Sequence, residues 1–273
     1  MVDLGSGTSA LLDIDVALVP SQASGWRRQV AIVIDELRAS STLTVLIDRG
    51  CPQVAVTASL TEARRLARQR GALLAGEREG RTPPGFDVNN SPTELNRLPI
   101  AGRQVVLCTT NGTLVLSRLR QLPAVLVGCL LNAGAVAAAA FRLAQRYQAS
   151  VGIVCAGQRG RFVLDDAIAA GAIIHRLVAV AAKEGRGCAM SDAAQAALRF
   201  EAAYPDVLTA LLESGSGRQL AALGLRNDIE FCSQVDISTT VPALQPGPYL
   251  TVVQLNEHVG PDALGSRASV TLS

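Results

Sequence analysis

Val30-Ala-Ile-Val-Ile-Asp-Glu-Leu-Arg-Ala-Ser40 opens with five apolar residues, four of them β-branched, and then turns abruptly polar. So short an apolar run bounded by polar residues reads as a buried strand that ends at Asp35. A helical run, Ser41–Arg49, follows it. The same order recurs along the chain. Val54-Ala-Val-Thr57 precedes an arginine-rich helix, Thr61–Arg70, with Leu60, Ala63, Leu66 and Ala67 on one face. Leu73–Ala75 runs into Gly76-Glu-Arg78, with a loop over Arg81–Gly85. Val105-Val-Leu-Cys108 runs into Thr109-Thr-Asn-Gly-Thr113, and a helix starts with Leu114–Leu119. Val125-Leu-Val127 leads to Asn132, which reads as the cap of an alanine-rich helix. Val151-Gly-Ile-Val154 leads to Cys155-Ala-Gly-Gln-Arg-Gly-Arg161, and Asp165 and Asp166 open the next helix. Ser191–Gly224 reads as helical, and Tyr249–Val253 as a last strand. Strands alternating with helices predict an α/β fold with a mainly parallel sheet. Its binding crevice is then expected in the loops at the strands' carboxyl ends, all on one edge. Residues 1–259 are expected to form one domain, with two closely packed lobes admitted by the length, and 260–273 a loose tail. No internal repeat of fixed period is visible.

Composition limits what such a fold can do. The 273 residues are 49% hydrophobic, 18% charged and 3% aromatic. That is globular, with a core built from Ala, Val, Leu and Ile. Few rings are available to stack on bases, and a net charge of +2 is no polyelectrolyte footprint, so nucleic acid is not the expected partner. Lys183 is the only lysine, so an anion site must be made from arginine forks and backbone amides. Cysteines at 51, 108, 129, 155, 188 and 232 form no C-x-x-C pair, and His175 and His258 are the only imidazoles. This disfavours zinc and a disulfide scaffold and fits reduced thiols in the cytoplasm. The start of the chain is acidic at Asp3 and has no basic region before an apolar run, which argues against a signal peptide. Leu122–Phe141 is uncharged, but Pro123, Gly128, Asn132 and Gly134 interrupt it; a strand, a turn and a helix explain it better than a membrane span. The alanine-rich helix can pack inside one chain or against a second copy, so a homo-oligomer stays open.

Each polar loop has two readings. Asp35 either caps the helix that follows or offers oxygen to a hard cation such as Mg²⁺. Glu77 and Asp87 add carboxylates and Arg78 an anion fork, whereas Asn90-Ser-Pro92 is plain turn chemistry. Thr109, Thr110, Asn111, Gly112 and Thr113 offer hydroxyls and amides suited to a phosphate or sulfonate, or simply cap a helix; the loop is no Walker A motif. Cys155 and Arg161 have the Cys-x5-Arg spacing of cysteine-dependent phosphatases. The favoured reading there is a structural cysteine followed by an anion-binding loop with Gly157, Arg159 and Arg161. Asp228, Glu230 and Asp236 are ligands, partners for arginines or solvent-facing charges, with 228, 232 and 236 on one face if the segment is helical.

In order along the chain these loops resemble the 2-phosphosulfolactate phosphatase family of coenzyme M biosynthesis. The resemblance rests on Ile34-Asp-Glu-Leu-Arg-Ala-Ser40, Gly76-Glu-Arg78, Gly85-Phe-Asp87, Asn90-Ser-Pro92, Thr109–Thr113, Leu131-Asn-Ala133, Cys155-Ala-Gly157, Gly160-Arg-Phe162, Asp165-Asp166, Asp228–Cys232 and Asp236. It spans about Val30 to Val241. It implies helices layered around a mixed, largely parallel sheet, and Mg²⁺-dependent hydrolysis of 2-phosphosulfolactate to 3-sulfolactate and phosphate. The metal would be held by Asp35 with Glu77, and by Asp166 or Asp87. Arg38, Arg78, Arg159 and Arg161 would neutralise the three anionic groups of the substrate. Departures are Glu36, where an apolar residue is usual; Asp165, in place of glutamate in a Glu-Asp pair; and the polar Ser238-Thr-Thr-Val-Pro242. Two rivals remain: a metal-free cysteine phosphatase using Cys155 and Arg161, and a non-catalytic binder of phosphorylated or sulfonated metabolites.

Overall fold

A computed structural model describes residues 11–256; the expected tail at 260–273 lies outside them. In chain order the elements are β1 (Leu12–Ala17), β2 (Gln29–Ile34), α1 (Ser41–Asp48), β3 (Val54–Thr57), α2 (Leu60–Arg70), β4 (Leu73–Gly76), β5 (Val88–Asn89), α3 (Pro92–Leu95), β6 (Val105–Cys108), α4 (Asn111–Leu119), β7 (Ala124–Val127), α5 (Ala133–Tyr147), β8 (Ser150–Cys155), α6 (Leu164–Lys183), β9 (Cys188–Met190), α7 (Asp192–Ala202), α8 (Val207–Glu213), α9 (Gly215–Ala222), α10 (Arg226–Cys232), β10 (Pro242–Gln245) and β11 (Thr251–Gln254). The α/β class and the mixed, mostly parallel sheet follow the expectation.

The sheet order is β5-β4-β6-β3-β11-β10-β7-β2-β8-β1-β9. Pairing is parallel within β5-β4-β6-β3 and within β7-β2-β8-β1-β9. The β10–β11 hairpin joins these halves, and each of its contacts is antiparallel. Two consequences correct the simple sequence picture. The halves run in opposite directions, so in a flat sheet their carboxyl ends would lie on opposite edges. They are also far apart in order: five strand steps of about 4.8 Å would separate β2 from β6 by roughly 24 Å. Yet the Gly112 amide, four residues past β6, donates to the Asp35 carboxylate at the end of β2 at 2.8 Å. The sheet must coil strongly to allow this contact.

The core shows what the coil encloses. Ala31 and Val33 of β2 share one apolar cluster with Val54 and Val56 of β3 and Val105 and Leu107 of β6. Leu43 and Leu46 of α1 and Val115 and Leu116 of α4 fill it, so these two helices lie inside the coil. The opposite face of the second half packs on α5, α6 and α7, and that of the first half on α2. The alanine-rich α5 buries Val136, Ala137, Ala140, Phe141 and Ala144 within its own chain. Among the described residues no helix is long and apolar enough to cross a membrane.

The halves are built alike. β3-α2-β4 and β7-α5-β8 each end in the same tight turn, Arg78-Glu-Gly-Arg81 and Gln158-Arg-Gly-Arg161. The central residues have φ of 54° and 79° in one and 53° and 76° in the other, the pattern of a type I′ turn. The tips meet at Arg159 and Glu79, 3.0 Å apart.

Candidate active site

The coil brings four strand ends together. Asp35 follows β2 and accepts from Gly112 N at 2.8 Å and Ala39 N at 3.3 Å. Asp166, in the first turn of α6, accepts from Glu36 N and Gly157 N, both at 2.8 Å. Gly157 is required there: its φ is +65°, and a Cβ would come within 2.2 Å of the Arg161 carbonyl. Asp165, beside Asp166, is 1% exposed, and its Oδ1 has no hydrogen-bond partner.

Burial dominates the electrostatics. It raises the Asp35 carboxyl to about 6 against the lowering pull of the Gly112 and Ala39 amides, and Glu77 and Asp165 push it further up. Burial likewise raises Asp165 to about 6. Asp166 rises well above the ordinary carboxyl range by burial and by repulsion from Asp165 and Asp35. Buried acids that raise one another mark a place where positive charge is missing.

Glu36 is fully buried, and burial raises its carboxyl to about 8. Its Oε2 accepts from Leu130 N at 3.0 Å, and Ser41 Oγ lies 3.2 Å from Oε1 and 3.1 Å from the Glu36 carbonyl oxygen. A protonated carboxyl satisfies all three: Oε1–H donates to Ser41, whose hydroxyl donates onward to the carbonyl. Because the folded pKa of about 8 lies above the ordinary 4.5, this contribution is complete below pH 4.5 and is lost as pH rises to 8. Glu36→Gln keeps the hydrogen bonds without the titration. In chelator, the variant is expected to match the parent at pH 5 and to exceed it by roughly 3 kcal/mol at pH 8. Urea unfolding at the two pH values checks this; an unchanged difference contradicts it.

The second group of residues is polar or cationic. Arg78 Nη1 donates to Thr110 Oγ1 at 3.0 Å, and its Nη2 reaches the Ala58 carbonyl and the Cys108 sulfur. Thr109 and Thr113 are buried with their hydroxyls 3.1 Å apart. Asn111 Oδ1 accepts from Arg159 N at 3.2 Å. Glu77 Oε2 accepts from Gly80 N at 2.9 Å, inside the first turn. Helix α4 begins at Asn111, three residues earlier than its apolar pattern suggests, so its free N-terminal amide at Gly112 already holds Asp35. Arg81 and Arg161 close the twin turns and are both exposed.

Cys155 takes the structural role favoured for it, and several other expected roles change. Cys155 ends β8 opposite Ile34, is wholly buried in the core, and its thiol is pushed well up by burial and by Asp166 and Asp165. It is a packing residue and lacks the lowered pKa of a nucleophile. Asp87 precedes β5 instead of following a strand; it is exposed and accepts from Leu74 N at 2.8 Å, so it is not brought to Asp35. Arg38 is 3% exposed and holds Asp228 Oδ2 at 2.6 Å, Asn89 Oδ1 at 2.9 Å and the Gly80 carbonyl at 3.5 Å. It therefore positions the loop after β2 instead of offering a free fork to substrate. Asp228 also accepts from Ser91 Oγ at 2.7 Å and from Thr93. Arg159 turns to Glu79 in solvent. Asp236 is not on a helix with Asp228: α10 ends at Cys232, and Asp236 has φ 59° and binds Gly134 N and Arg176. Asn132 stands at the N-cap of α5 as expected, but its side chain makes no capping bond there: it accepts from Cys129 N and donates to the Val127 and Thr240 carbonyls. Asp228 takes the arginine-partner role that its sequence admits, whereas no motif points to Asp165 or Glu36 as buried acids of the site.

A Mg²⁺ ion fits this donor set. All the donors are hard carboxylate oxygens, and Asp165 Oδ1 is buried without a partner. Among the described residues no three acidic, thiol or imidazole side chains enclose an ion by themselves. That suits Mg²⁺, which commonly takes one or two carboxylates and fills its shell with water and substrate phosphate.

Comparison with known proteins agrees with the loops. Residues 17–247 match the family model described as 2-phosphosulpholactate phosphatase. A "Probable 2-phosphosulfolactate phosphatase" of Deinococcus radiodurans is 41% identical over 221 residues, covering 80% of this chain and 88% of the relative. Proteins of the same name from Thermotoga petrophila and Thermus thermophilus are 34% and 38% identical, covering 87% and 79% of this chain and 97% and 88% of theirs. With most of its length matched by the family model and by a relative 41% identical to it, the chain belongs to the 2-phosphosulfolactate phosphatase family.

Proposed function

We propose that the chain is a Mg²⁺-dependent phosphoric monoester hydrolase that converts 2-phosphosulfolactate and water to 3-sulfolactate and phosphate. The observation that carries the reading is the buried Asp35–Asp165–Asp166 group with an unpartnered oxygen, in a chain whose relatives bear that name. Asp35 and Asp165, whose Oδ1 has no other partner, would hold the ion, with Asp166 behind them and Glu77 at the rim. When bound, Mg²⁺ polarises the phosphoryl oxygen and lowers the pKa of a coordinated water.

The chain's own residues do the positioning. The Gly112, Ala39, Glu36 and Gly157 amides fix the carboxylates, so no reorganisation is needed as charge moves. Arg78 is pre-aimed through Thr110 towards the anion. Arg81 and Arg161 offer forks to the carboxylate and sulfonate of the substrate. The P–O ester bond breaks, the water oxygen joins phosphorus, and the leaving alkoxide takes up a proton. Buried and free thiols fit a cytoplasmic setting, and the substrate would place the enzyme in coenzyme M biosynthesis.

The test is phosphate release from 2-phosphosulfolactate by the parent and by Cys155→Ala. Release by both, within a few-fold, supports the proposal. Loss in Cys155→Ala with an unchanged fold would restore the cysteine mechanism. Binding without release by either protein would leave a protein that only holds its anion.

A further inference from the structure

A second cleft lies on the flank of α4, away from the carboxylates. It encloses about 710 Å³ between the 20–27 turn and α4, within the size range of small-molecule sites. Trp26, Val115, Leu119 and Leu122 form an apolar wall, with Ser21, Ser24 and Gln121 as polar neighbours. Arg27 and Arg118 also line it, and among the described residues no carboxylate does.

Some exposed arginines are neutralised by acids, as in Arg65–Glu62, Arg159–Glu79 and Arg226–Glu230; the two that line this cleft are not. Arg118 has none within helical reach: positions 114, 115, 121 and 122 are Leu, Val, Gln and Leu. Arg27 is held by its own turn, donating from Nη1 to the Ser24 and Trp26 carbonyls. Trp26 is fixed as well, because its six-membered ring covers Gly152, where a Cβ would fall 2.4 Å from it. An apolar slot with a rigid aromatic wall and unneutralised guanidinium groups is complementary to a molecule that is greasy at one end and anionic at the other. A second copy of the chain fits less well. A two-fold interface would set this patch against itself and bring arginine towards arginine.

We propose that this cleft binds an amphipathic anion, an apolar chain or ring carrying one sulfonate, carboxylate or phosphate head, independently of the catalytic site. The probe is octane-1-sulfonate below its micellar concentration, followed by the fluorescence of Trp26, the only tryptophan. Saturable binding is expected, with octanol at least about tenfold weaker. Arg118→Gln is expected to weaken the sulfonate by about tenfold, and the Arg27→Gln/Arg118→Gln pair by more. Both side chains are exposed, so melting temperature and phosphatase rate should stay at parent values. Equal affinity for octanol, unchanged binding in the double variant, or a dimer in sedimentation that the sulfonate dissociates would each overturn the proposal.

Discussion

Asp35→Asn is expected to lower the rate of phosphate release from 2-phosphosulfolactate by about 10³-fold or more, with the fold intact. The effect is one of charge, since asparagine has the shape of aspartate. Its Oδ1 can still accept from Gly112 N, the stronger of the two amide contacts at 2.8 Å, and only the 3.3 Å contact with Ala39 is compromised. What disappears is one negative charge from the group that includes Asp165, Asp166 and Glu77. That charge is costly to the metal-free protein, as the rise of the Asp35 pKa to about 6 shows. Loss of kcat with a melting temperature in chelator at or above the parent's at neutral pH, together with weaker Mg²⁺ binding by titration calorimetry, is the expected signature. Activity within a few-fold of the parent would remove Asp35 from the metal site.

Asp228→Ala is expected to have the largest effect on stability. Arg38 and Asp228 are 2% and 1% exposed, and their 2.6 Å contact joins the loop after β2 to α10. Removing the acid strands a buried guanidinium and releases the Ser91 and Thr93 hydroxyls. Breaking such a pair from one side costs about 3–5 kcal/mol. For a chain of this size that is roughly 6–20 °C in melting temperature. Activity should fall too, because the displaced loop carries Asp35. The pair Arg38→Met with Asp228→Leu removes both charges and should recover much of the stability but not the activity. A melting temperature for Asp228→Ala within about 2 °C of the parent would contradict the clamp.

What could be read from the sequence was set by how local its cause is. Val30–Ile34 and Val151–Val154 are recognisable because a strand buried on both faces is apolar throughout. The alternation Leu12-Asp-Ile-Asp-Val16 signals β1 by its period of two, with Asp13 exposed and Leu12 and Ile14 buried, although its acids interrupt the apolar run. The inward facing of Cys155 was also available, since it shares the period-two face of Val151 and Ile153. The β10–β11 hairpin was not legible as a topological switch. Nothing in Pro242–Gln245 says which strands it will separate, yet it reverses one half of the sheet against the other.

The site divides in the same way. Asp35 and Glu77 stand out in the sequence because they directly follow strands, and Asp166 because it opens a helix. Asp87 was assigned wrongly because it precedes its strand, which places it away from the cleft. Arg38 looked like a substrate fork, but its partner Asp228 lies 190 residues away, and only the fold supplies it. Asp165 and Glu36 owe their interest to burial, which no spacing rule reports. The twin turns went unseen because Ala75-Gly-Glu-Arg-Glu-Gly-Arg81 has one more residue than Ala156-Gly-Gln-Arg-Gly-Arg161 and little else repeats.

The central claim is metal-dependent hydrolysis at the buried carboxylates. It is tested most directly by phosphate release from 2-phosphosulfolactate after exhaustive treatment with chelator, followed by return of Mg²⁺ alone. The account predicts that release stops in chelator and returns to the starting rate with Mg²⁺. Release that continues undiminished without metal would contradict it.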